Sequence, residues 1–283
     1  MTEFLAALPQ YPFLQYALLA GLLASLACGV VGAYVVSRRI SYLAGAMAHS
    51  VLGGLGAARY LQVTQGWDWC QPLYGAVVAA LISAVVIGLV SLKARQREDT
   101  IIGAVWAVGM ALGVLFMAAT PGYGVDLMAY LFGNILMVSP GDLWLMAGLD
   151  LAVVAVGLGC QRQLLAVCFD AEFARLRGLA VDRYYLLLLA MTALTVVILS
   201  TVVGLVMVIA LLTLPAAVAG QFCHRLGPIM ALGVALSAAF TTAGLALSYG
   251  PDLPAGAVII LLAGATYLAL TALNWLRGRG RRA

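Results

Sequence analysis

The sequence predicts an all-α, polytopic transmembrane helical bundle of eight or nine spans, formed by a single domain over residues 1–283. Three observations predict it. The chain is 64% hydrophobic and only 9% charged, whereas soluble globular domains carry about 25% charged residues, so lipid is the natural solvent for most of it. Its apolar runs reach the roughly 20 residues that a helix needs to cross a bilayer. Those runs lack the alternation of barrel strands, which leaves helices as the way to span.

The elements follow in order. Spans are predicted at 14–36, 41–61, 72–92, 100–119, 142–160, 186–201, 203–222, 228–248 and 256–276. The stretch 186–222 is one continuous apolar run, which the reading divides near Thr201 and Gly204. No separate soluble domain fits between the spans, because the longest polar gap is 161–185. The opening "MTEFLAALPQYPF" has neither a basic n-region nor a small-residue cleavage site, so no cleavable signal peptide is expected.

Charge sets the expected orientation. Lys and Arg gather at 38–39, 93–97, 162–183, 225 and 277–282, and are absent from 62–71, 120–141 and 249–255. Under the positive-inside rule the first set is cytoplasmic. With nine spans the N-terminus lies outside and the C-terminus in the cytoplasm, with Arg59 near the outer end of its span as the exception. The net charge of +4 is therefore a topology signal, and no nucleic-acid partner is expected. The five cysteines form no C-x-x-C pair and read as small apolar fillers. Small residues recur at four-residue steps, at Gly21, Ser25, Gly29 and Ala33 and again at Gly103, Ala107 and Ala111. Such ridges let membrane helices approach closely.

Several chemistries are absent. The chain has one lysine, Lys93, and no G-x-x-x-x-G-K-[ST] loop to cradle a nucleotide. It also lacks H-E-x-x-H and G-x-S-x-G, so it is read as a non-enzymatic chain that does not hydrolyse ATP by itself. Two deep polar groups stand out, and an ionisable residue inside a span is a functional candidate by default. At about 1.5 Å per residue, His49 lies roughly 12 Å from the inner end of its span and Asp150 roughly 12 Å from the outer end of its own. Imidazole and carboxylate both ligate divalent metals, so the two are candidate metal contacts. Equally, His49 is satisfied by a backbone carbonyl or hydroxyl if its role is structural, and Asp150 by a partner such as Arg59 or a threonine.

The loop "FDAEFARLRG", residues 169–178, reads as a short amphipathic helix with Phe169, Phe173 and Leu176 at helical spacing. That pattern suits docking into a groove on a partner, and it equally suits rest at the lipid headgroups. Gly178 would end the helix.

Four stretches together resemble the integral membrane subunits of bacterial ABC transporters for zinc, manganese and iron. They are "RRISYLAGAMAHSVLGGLGA", "EDTIIGAVWAVGMALGVLFM", "DLMAYLFGNILMVSPGDL" and the segment from "FDAEFARLRG" through "VVGLVMVIALLTLPAAVA", followed by the ending "PDLPAGAVIILLAGATYL". The resemblance covers about residues 14–275. It implies a permease that dimerises, binds a separate ATP-binding subunit on its cytoplasmic face, and receives a divalent metal as substrate from an extracytoplasmic metal-binding protein. The setting it implies is a bacterial inner membrane. His49 falls on the family's pathway histidine, but the aspartate usual four residues earlier is Gly45 here, which leaves Asp150 as a candidate oxygen donor. The resemblance assigns Phe169, Asp170, Glu172, Phe173, Ala174 and Gly178 to coupling with the ATPase. An ion-coupled secondary transporter using Asp150 is the alternative reading, and a membrane scaffold that carries nothing is a second rival.

Overall fold

The structure of the protein, a computed structural model, describes residues 2–93, 98–121, 138–251 and 253–280. The Tyr-Leu-Phe-Gly part of the third resembling stretch, and Asp126 and Asp252, lie outside the described residues. The helices are α1 (Thr2–Ala7), α2 (Pro12–Arg38), α3 (Ser41–Gln65), α4 (Pro72–Lys93), α5 (Glu98–Ala119), α6 (Pro140–Gly159), α7 (Gln161–Phe169), α8 (Ala171–Leu176), α9 (Val181–Val203), α10 (Leu205–Phe222), α11 (Leu226–Tyr249) and α12 (Ala255–Gly280).

The all-helical class is as expected. Among the described residues seven helices are long and apolar enough to cross a membrane, and they lie in α2, α4, α5, α6, α9, α11 and α12. Helix α3 has the length, at 25 residues, but its glycines, serines, His49 and Arg59 dilute its apolar character. It tolerates them because residues from Leu43 to Ala48 are buried against protein, where no lipid need solvate them. Helix α10 spans 18 residues, of which Met207–Phe222 form an apolar helix. Elsewhere the outward surface is apolar: Ile82, Leu115, Leu151, Leu261 and Leu268 are all exposed. Apolar exposure on that scale marks a surface made for lipid, and the chain is a multi-pass membrane protein.

The long run 186–222 divides where the sequence suggested. Gly204 has φ 81° and ψ 163°, a region open essentially to glycine alone, so neither flanking helix continues through it.

Helix α2 is the central rod. Within its span 72% of residues are buried, against 17% for the peripheral α12, and it packs on α6, α7, α9, α10 and α11. Helix α3 packs on α4, α5, α9 and α10. These contacts rely on backbone approach at glycines. Gly54 of α3 and Gly75 of α4 face one another with no room for a side chain on either, and Gly29 of α2 lies against the Val234 backbone of α11. The first expected ridge is thus a contact at Gly29. The second is corrected: Gly103 has nothing near it, and Ala107 and Ala111 are exposed. The face of α5 that meets α3 carries Gly109 and Gly113, set against Ser50 and Leu52. A shift of two residues turns a helix by about 200°, which places these glycines opposite the anticipated ridge.

Candidate functional site

Two regions hold the candidate residues, an imidazole inside the bundle and the helical loop between α6 and α9. The first begins at the turn joining α2 to α3. Arg39 closes α2 in the left-handed conformation (φ 61°), its N–H reaching back to Val35 O and Val36 O. This ends α2, and α3 starts at Ser41. His49 follows two turns into α3, half-buried. Its ring stacks on Trp106 of α5 with centroids 4.7 Å apart and planes 25° apart, the offset arrangement that aromatic rings favour. The His49 Nδ1 is buried without a hydrogen-bond partner, so the expectation that a carbonyl or hydroxyl would satisfy it finds no support at that atom. One turn earlier, Gly45 sits beneath the same tryptophan. A Cβ placed on it would lie 2.6 Å from Trp106 Cζ3 and 2.9 Å from Trp106 Cη2.

Asp150 occupies a different interface. It belongs to the buried face of α6 with Met146, Val153 and Gly157, is 2% exposed, and has no partner for either carboxylate oxygen. Helix α6 packs on α2, α7 and α9, and two turns beyond Asp150 the Tyr34 hydroxyl donates to Gly157 O at 2.6 Å. His49 and Asp150 therefore face different neighbours and are not brought together. Arg59 bonds Gln62 Oε1 at 2.7 Å. Among the described residues no cluster of three or more His, Cys, Asp or Glu side chains could hold a metal ion.

The second region is built to present a face. Asp170 caps α8, its Oδ1 accepting from Phe173 N–H at 2.8 Å. At the far end Gly178 takes φ 78°, with Gly178 N–H bonding Arg175 O and Leu179 N–H bonding Ala174 O, each at 3.0 Å. Those paired bonds are the Schellman ending that a left-handed glycine permits. Ala174 is buried and anchors the turn inward. Phe169, Phe173 and Leu176 are 73%, 52% and 88% exposed, and Glu172 is exposed beside them. Arg175 pairs with Asp182 at 2.7 Å, and the Arg177 guanidinium lies over the Phe173 ring at 5.0 Å. The single helix expected over 169–178 is divided at Asp170: Phe173 and Leu176 are presented by α8, pinned at both ends, and Phe169 by the last residue of α7, with charge at the rim.

Arg38 joins this loop to the bundle. From the last turn of α2 it donates to Val167 O of α7 at 2.5 Å and lies over the Tyr185 ring of α9 at 4.5 Å. Sequence reasoning read it only as the end of a span. It also missed Trp106, although a lone tryptophan in a helix of small and aliphatic residues, opposite a glycine where a carboxylate was expected, is a signal for it.

The sequence matches the ABC 3 transport family over residues 10–274. The chain belongs to that family and is a membrane permease of an ABC transporter. It is 40% identical to a "Probable metal transport system membrane protein" of Chlamydia trachomatis over 90% of this chain and 87% of that one. It is 35% identical to the "Manganese transport system membrane protein MntC" of Halalkalibacterium halodurans, over 94% of this chain and 89% of that one. Its fold superposes on a chain of the solved structure of PsaBC from Streptococcus pneumoniae in complex with Fab with a TM-score of 0.83, at 29% identity, covering 95% of this chain and 94% of that one.

Proposed function

We propose that this chain is the permease subunit of an ATP-driven importer of divalent metal ions, zinc, manganese or iron, in a bacterial inner membrane. Two copies pair, and each engages a separate ATP-binding subunit on the cytoplasmic side. An extracytoplasmic metal-binding protein delivers the substrate. Helices α3 and α10 cross the bilayer as well, which makes nine spans and leaves the C-terminus in the cytoplasm. The observation that carries the reading is the α7–α8 loop. A capped, pinned helix with Phe173 and Leu176 exposed, and Phe169 exposed beside it at the end of α7, has the form of a helix that docks into a partner's groove. Asp170, Glu172, Ala174 and Gly178 hold that face in position or rim it. The manganese in the name of the Halalkalibacterium relative supports a first-row divalent ion as cargo.

Inside the bundle, His49 and, at a separate point, Asp150 are assigned contact with the ion. Both carry buried polar atoms without partners. A lone imidazole gives the ion a weak, brief foothold, and a pathway needs binding loose enough to release. The test is reconstitution of the permease with its ATPase and metal-loaded binding protein in liposomes. ATP-dependent uptake that disappears when the ATPase is omitted is the expected result. Uptake that persists without the ATPase would establish the ion-coupled alternative, and hydrolysis that ignores the loaded binding protein would point to a scaffold.

A further inference from the structure

The space beside His49 is taken by Trp106, and this has a consequence for the ion. On a helix, positions 45 and 49 share one face, one turn apart. A side chain at 45 would be the natural companion donor for the imidazole. It has no room here unless the tryptophan ring shifts, since even a bare Cβ on Gly45 would meet the six-membered ring of Trp106 at 2.6 and 2.9 Å and Ile209 Cδ1 at 3.0 Å. The same ring stacks on His49. One aromatic side chain thus fills the companion's volume and fixes the plane of the remaining donor. Ser50, the next residue, lies about 100° round the helix from His49, with its hydroxyl donating to Ala46 O at 3.0 Å.

We propose that Trp106 is a positioning and specificity-determining residue: interlocked with Gly45, it holds the His49 ring and excludes any second side-chain donor from that face of α3. The inference rests on His49 contacting the transported ion. An ion at this point meets one imidazole nitrogen with no carboxylate beside it. Imidazole suits zinc, whereas carboxylate oxygens suit manganese, so the interlock favours nitrogen-seeking ions at this step.

Two measurements on the full-length permease assembled with its ATPase test it. The first is a stability cycle. Gly45→Ala is expected to lower the melting temperature, and to lower it far less in a Trp106→Ala background, because contacting residues are non-additive. Additive effects would overturn the interlock. The second is uptake of zinc and of manganese by the reconstituted transporter, each supplied as the metal on the binding protein. Gly45→Asp alone is expected to lose about tenfold or more in uptake of both, the scale of damage to groups that orient a metal ligand. Gly45→Asp with Trp106→Ala is expected to recover uptake and to raise the manganese-to-zinc ratio about tenfold over the parent. A double variant that assembles but keeps the parental ratio, or a Gly45→Asp single variant as active as the parent, would overturn the assignment. If the parent itself carries neither these metals nor iron with ATP, the metal-import reading fails, and the stability cycle still decides whether the interlock exists.

Discussion

Replacing Arg38 by methionine isolates the link between the α7–α8 loop and the central helix. Methionine keeps the length and the apolar stem while removing the guanidinium. Three contributions change. The hydrogen bond to Val167 O, at 2.5 Å, is charge-assisted and contributes about 1.5–3 kcal/mol. It also places a cation at the end of α7, whose own last turn has no basic residue, where the helix dipole favours one. The stack over Tyr185 at 4.5 Å adds about 1 kcal/mol. Against these, Arg38 Nε is buried without a partner, and its removal returns about 1 kcal/mol. The net is a loss of about 2 kcal/mol, which for a chain of this size lowers the melting temperature by roughly 3–4 °C. Arg38→Lys should keep part of this, since an ammonium still reaches a carbonyl but stacks and forks poorly. The assay is thermal unfolding of the purified permease, followed by the ratio of ATP hydrolysed to metal imported in liposomes. Uncoupling should raise that ratio in Arg38→Met. A variant that melts within about 1 °C of the parent with an unchanged ratio would refute the link.

Phe173→Asp places a charge in the centre of the proposed docking face and should abolish co-purification with the ATPase while leaving the permease folded, because Phe173 is exposed. Retained co-purification would move the partner contact elsewhere. Asp150→Asn removes a buried carboxylate that has no partner, so stability should rise by about 1 kcal/mol. If Asp150 also contacts the ion, uptake should fall in the same variant, and unchanged uptake would withdraw it from the pathway. Burial pushes the Cys168 thiol up to about 11, against an opposing pull from Arg38. Since the thiolate is the nucleophile, alkylation of Cys168 in a variant lacking the other four cysteines should keep accelerating to about pH 11. The raised value also means that the folded state holds its proton when the unfolded chain has lost it. Stability should therefore decline between the ordinary thiol value of 9.0 and about 11. An alkylation rate that levels off near pH 9 would contradict both.

The helical class was legible because hydropathy alone decides it, and the break at Gly204 because a glycine interrupts an unbroken apolar run. The span count was less legible. Helix α3 trades apolar content for close packing, and its buried surface is invisible until its neighbours are known. The second small-residue ridge failed for a related reason: α5 offers small residues on two faces, at Ala107 and Ala111 and at Gly109 and Gly113, and only the glycine face meets α3. His49 and Asp150 were visible as isolated polar residues in apolar runs. Their separation was not, because similar depth along two helices says nothing about which neighbours those helices face. The α8 caps were legible, since Asp170 and Gly178 are local signals. Arg38 and Trp106 act across 129 and 57 positions of chain, on Val167 and His49, and no local pattern records such distances.

These contacts define how movement at the α7–α8 loop can reach the interior. The loop touches α2, α6 and α9; charge ties it to α2 through Arg38 and to α9 through the Arg175–Asp182 pair. Arg38 is the last residue of α2, and Arg39 and Ile40 lead directly into α3. A displacement of α7 therefore acts on both the central rod and the start of the helix that bears His49. The rod can respond as a unit, because its contacts with α10 and α11 at Gly32 and Gly29 are backbone against backbone, and such surfaces slide or lock without rotamer changes to absorb the motion. His49 moves with α3, whereas Trp106 belongs to α5, so any shift of α3 along α5 opens or closes the stack. The His49–Trp106 stack thus lies on the α3–α5 interface itself, where, on the proposed function, a change at the loop would reach the imidazole.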